Sequence, residues 1–72
     1  MAQAVEFIRA LCEKRDEITH HLAWVEQRAV HSEGSRASAL RSEAAVLRRD
    51  INEANILIDR LQRRYLNGDN QP

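Results

Sequence analysis

Seventy-two residues with eleven Lys/Arg, eleven Asp/Glu and zero net charge make one small domain at most, of a size at which a single core is marginal without a staple. The balanced charge sets up no whole-protein field for nucleic acid or anionic membrane, and no run of about 18 apolar residues offers a membrane span. The lone cysteine, Cys12, excludes an internal disulfide, and no Cys/His cluster has structural-zinc spacing, so oligomerisation or a partner is left as the staple.

Taken in chain order, Met1-Ala2-Gln3-Ala4 carries no strong cap, and a helix is expected over residues 3–32. From Val5 to Ser32 there is no Gly or Pro, and the good helix formers Ala, Leu, Glu and Arg dominate. Its apolar seam runs at alternating 3- and 4-residue steps: Ala4, Ile8, Leu11, Arg15, Ile18, Leu22, Val25, Ala29. A turn is expected at residues 33–35, with Gly34 suited to a position just past a helix end and Ser35 or Ser38 as the next N-cap. A second helix is expected over residues 36–66, with the seam Ala37, Leu40, Ala44, Leu47, Ile51, Ala54, Ile58, Leu61, Tyr65. Asn67-Gly68 then stops it, and residues 67–72 read as a polar tail.

The two seams do not join. Continuing the first heptad places its next a position at residue 36, whereas the second seam starts at Ala37, and a glycine lies between them. The fold class expected is therefore all-α: an antiparallel, coiled-coil-like helical hairpin filling one domain, residues 1–72. A turn centred near Gly34–Ser35 brings together seam residues whose numbers sum to about 69, such as Ile8 with Leu61 and Ile18 with Ile51. Arg15, the one polar seam residue, then lies opposite Ala54, where its stem has room to snorkel outward. The same register puts Glu26 by Arg41, Arg28 by Glu43 and His21 by Asp50 on the flanks, all attractive pairings. Glu6–Arg9, Arg49–Glu53 and Asp59–Arg63 are expected within helices.

One flank of the hairpin, the e and b positions, is mostly polar. The other, the g and c positions, shows Phe7, Ala10 and Trp24 from the first helix and Ala39, Val46 and Leu57 from the second, with Ile56 at an outer edge. Apolar patches of this kind mark association surfaces, and aromatics are enriched in them. Phe7, Ala10, Trp24, Val46 and Leu57 are accordingly the expected interface, with Trp24 beside Val46. The partners expected are a second copy, giving a four-helix bundle, and a larger protein.

Sites for chemistry are few. Glu17 and His21, one turn apart, are placed across from Asp50 and Glu53, and doubling by a dimer axis would gather enough ligands for zinc or a di-metal centre. The plainer account of those four residues is a solvated salt-bridge cluster in which His21 helps set register. No nucleophile–base pair or phosphate loop is present, so no catalytic residue and no cofactor is expected. Arg48, Arg49, Arg60, Arg63 and Arg64 offer phosphate contacts and define the alternative, a nucleic-acid-binding hairpin. In plan, a dimer of helical hairpins resembles the small plasmid-encoded Rop proteins. That resemblance implies RNA binding only as this alternative, since no motif is shared residue by residue. With a free thiol and no N-terminal export pattern, a cytoplasmic bacterial or phage protein is expected, acting as a non-catalytic adaptor, inhibitor or assembly subunit.

Overall fold

In the computed structural model, which describes the backbone of residues 2–67 and the side chains of residues 3–65, helix α1 spans Ala2–Val30 and helix α2 spans Gly34–Gln62. Each has 29 residues, or about 43 Å at the standard rise. They pack side by side as a hairpin with extents of 56 × 19 × 12 Å, a slab one helix thick. A single π-helical turn, Arg63–Asn67, continues α2. The helical conformation thus reaches the Asn67 expected to end it, while Gly68 and the rest of the polar tail lie outside the described residues.

The core follows the seam. Ile8 and Val25 from α1 and Ala37, Ala44 and Ile58 from α2 are buried, and among the described residues Val25 is the one large side chain shut off completely. The remaining seam residues of both helices, Arg15 included, are half-buried, and only Tyr65 at the open end is exposed. Arg15 leans out as its stem length allows: its Nη1 donates to Asn55 Oδ1 at 3.1 Å, next to Ala54, and Asp16 pairs with it at 3.3 Å. A polar seam residue satisfied by one neighbour across the hairpin helps fix the register in which the helices meet.

The turn is built differently from the expected one. Helix α1 ends at Val30, and its last carbonyls are satisfied by tightened bonds, His31 N–H to Arg28 O and Ser32 N–H to Ala29 O, both 3.2 Å. The Ser32 hydroxyl also donates to Arg28 O at 2.7 Å. Neither Ser35 nor Ser38 is the N-cap of α2. That position is Glu33, in extended conformation and with no side-chain cap bond, and its carbonyl accepts from Ala37 N–H at 3.4 Å. Gly34 reverses the chain with φ 65, a left-handed conformation that glycine enters without a Cβ penalty, and it does so as the opening residue of α2.

Candidate interaction surface

Two flanks run along the slab, and cross-hairpin contacts tell them apart. The e flank is bridged by Arg48 with Glu26 and by Arg15 with Asn55; the g flank is bridged by His21 Nε2 with Glu43 Oε2 at 3.4 Å. These flank pairings correct the expected ones. Glu26 meets Arg48 rather than Arg41, His21 meets Glu43 rather than Asp50, and Arg28 turns to Trp24 instead of Glu43. The first two changes are shifts of one heptad along the same flank, and the third is a contact within α1. A long side chain standing between two candidates a heptad apart reaches the nearer one along its own tilt. Within the helices, Glu6–Arg9 at 3.6 Å and Asp59–Arg63 at 3.1 Å form as expected, Lys14–Glu17 at 3.8 Å adds a third, and Arg49–Glu53 makes no ion pair.

The g/c flank carries the expected apolar residues in the open. Trp24 is 54%, Phe7 53%, Val46 52% and Leu57 41% exposed, and Ala10 is exposed between them. Trp24 lies along its own helix, with the Arg28 guanidinium 4.9 Å above its ring and the His21 imidazole 6.3 Å away, tilted by 40°. These contacts from one turn before and one turn after accompany a ring that is still half exposed. At the open end Phe7, Ala4, Leu61 and Tyr65 line a shallow groove of about 370 Å³.

The e/b flank is less polar than the sequence reading held. Val5 is exposed there, and Val30 is the most exposed large apolar side chain of the described residues at 79%. Val30 borders a groove of about 470 Å³ whose floor is Ala29 and Ala44 and whose rim is Glu26, Arg41 and Arg48. Both valines were overlooked because each falls outside the seam and outside the g/c cluster; spacing from the nearest seam residue would have placed them.

The four candidate metal ligands do not form a centre. Glu17 is paired with Lys14 and His21 with Glu43, and no group of three or more His, Cys, Asp and Glu close enough to hold a metal occurs among the described residues. Asp50 and Glu53 are exposed on α2 and join neither Glu17 nor His21 in such a group. Glu17 and His21 thus make separate exposed contacts, and Asp50 and Glu53 make no ion pair among the described residues. Of the arginines named for nucleic acid, all five are exposed; Arg48 pairs with Glu26, Arg63 with Asp59, and Arg64 lies 5.5 Å over its neighbour Tyr65. Cys12 is a free, half-buried thiol. No described helix is long and apolar enough to cross a membrane.

No protein-family model, curated protein or solved structure matches the chain.

Proposed function

We propose that this chain is a non-catalytic protein–protein interaction module that works through its g/c flank, associating with itself and with a larger protein as an adaptor, inhibitor or assembly subunit. One observation carries the reading: Phe7, Trp24, Val46 and Leu57 are about half exposed on one flank of a hairpin that fully buries a single large side chain. A molecule with so thin a core gains stability by covering that flank. Its accessible surface, 5624 Å², exceeds by about 1,000 Å² the value expected of a compact monomer of its mass. The slab shape carries this excess, and a second layer of helices would remove surface of this order from water. A cytoplasmic bacterial or phage setting accords with the free thiol.

The alternative, a Rop-like RNA-binding dimer, has less support, because three of its five arginines are engaged by Glu26, Asp59 and Tyr65. The two readings respond oppositely to salt. Phosphate binding weakens steeply between low and high ionic strength, whereas an apolar interface holds.

The direct test is solution mass by sedimentation. Trp24→Asp with Leu57→Asp is expected to convert the assembled species to a monomer, or to lose the partner in a pull-down, with helicity partly kept. A double variant that keeps the wild-type mass and partner rules out this flank.

A further inference from the structure

We infer that the g/c flank is covered by a second copy of this chain laid antiparallel, its turn over the first copy's open end, with the two-fold axis crossing near Glu17 of α1 and Asn52 of α2. The inference deepens the association reading and rests on it. It starts from the spacing of the apolar clusters. Trp24 and Ala10 lie seven residues to either side of Glu17, and Val46 and Leu57 lie six and five residues to either side of Asn52. A two-fold axis lying in the interface and running across both helices at that level therefore sets each cluster on the other cluster of the second copy, twice over. The largest exposed side chain, Trp24, comes down on the smallest of the set, Ala10, beside Leu57. Large against small is the interdigitation that close packing needs.

Charge selects the same arrangement. Glu43 lies nine residues on the turn side of Asn52 and Arg60 eight on the open side, so the antiparallel axis brings Glu43 of one copy to Arg60 of the other, again twice. A parallel axis, turn over turn, lays α2 over α1 of the other copy, which sets Glu43 by Arg28 but Arg60 over the apolar Ala10 and Phe7. Like charges meet in the antiparallel form at two levels. At the axis, Glu17, Asp50 and Glu53 face their counterparts with Lys14 and His21 among them; near the ends, Arg64 on its Tyr65 approaches Arg28 on its Trp24. The same approach carries the Arg28 guanidinium toward Phe7 and the groove it lines with Tyr65 and Leu61. The broad face is also large enough. A slab of 56 × 19 Å presents a footprint of about 1,000 Å², against the roughly 800 Å² per partner of a standard stable interface.

The test combines a charge swap with a distance measurement on the full chain. Glu43→Arg and Arg60→Glu singly should each weaken self-association about tenfold, and the double swap should restore it to within about threefold of wild type. Removing the charges at the axis with Glu17→Gln and Glu53→Gln should tighten it by about tenfold. In a Cys12→Ser background, spin labels at Ser35→Cys should lie about 50 Å apart between copies, since each turn sits some 17 residues from the axis. Labels within about 20 Å of each other, or a double swap no better than the single changes, overturn the antiparallel docking while leaving association through this flank in place. A chain that stays monomeric at every concentration overturns the second copy as occupant; a pull-down with Trp24→Asp as control then decides whether the flank serves a larger protein. A dimer indifferent to Trp24→Asp and Leu57→Asp overturns both readings.

Discussion

Val25 and Arg15 show how unevenly the seam residues contribute. Val25 has no exposed surface, and nothing in so slender a core can collapse far into the space it would leave. Val25→Ala should therefore cost about 1.5–3 kcal/mol, read as a lower urea midpoint with an unchanged slope. Arg15 acts in the opposite sense. Its head group is held by Asn55 and Asp16, and its stem occupies a seam position without filling it as an aliphatic side chain would. Arg15→Leu should raise stability by about 1 kcal/mol while loosening specificity, because a polar seam residue sets register at a cost in stability. A higher midpoint accompanied by a mixture of masses in sedimentation is the expected outcome; a higher midpoint with one sharp species would deny Arg15 its register role. Residue by residue, the seam was legible because period 3.5 survives in the sequence without any structure. The flank partners were not. Register narrows each long charged side chain to two neighbours a heptad apart, and tilt then chooses between them, as with Glu26 taking Arg48 over Arg41.

At the level of the elements, two 29-residue helices were legible from the absence of Gly and Pro and from the break between seams, and the turn between them was legible only in outline. Serine is the commoner cap, yet Ser35 falls inside α2 once Gly34 begins it, and Glu33 takes the N-cap position with its side chain free. Ser32 turns backward onto α1 instead. The reversal depends on one conformational fact, the φ of 65 at Gly34. A Cβ added there meets nothing within 4 Å, so any penalty for replacing the glycine is backbone strain rather than collision. Gly34→Ala should cost about 1–2 kcal/mol and lower the melting temperature by roughly 4–15 °C, with Gly34→Asn costing less. Equal loss for the alanine and asparagine variants would point away from the left-handed conformation as the cause.

For the whole molecule, thickness governs behaviour. A slab 12 Å deep offers one layer of packing, and the side chains off the seam have nothing behind them. If a second copy supplies the missing layer, stability belongs to the pair, and the melting temperature should climb as protein concentration rises. Scanning calorimetry over a hundredfold range of concentration checks this. A constant melting temperature for the wild type would assign full stability to the lone hairpin, and the climb should vanish in Trp24→Asp. Which flank is apolar could be read from the chain because Phe7, Trp24, Val46 and Leu57 share heptad positions. The exposed Val5 and Val30 belong neither to the seam nor to the g/c cluster, so heptad position alone does not group them with another apolar face.

The equal length of the two arms has its own implication for how such a chain can change size. One inserted residue in either arm turns everything beyond it by about 100°, trading seam for flank. Growth or shrinkage that preserves the design must come in matched units, seven residues before Gly34 and seven after, each adding about 10 Å. Viable lengths for this architecture form a ladder with rungs fourteen residues apart, and point insertions fall between the rungs.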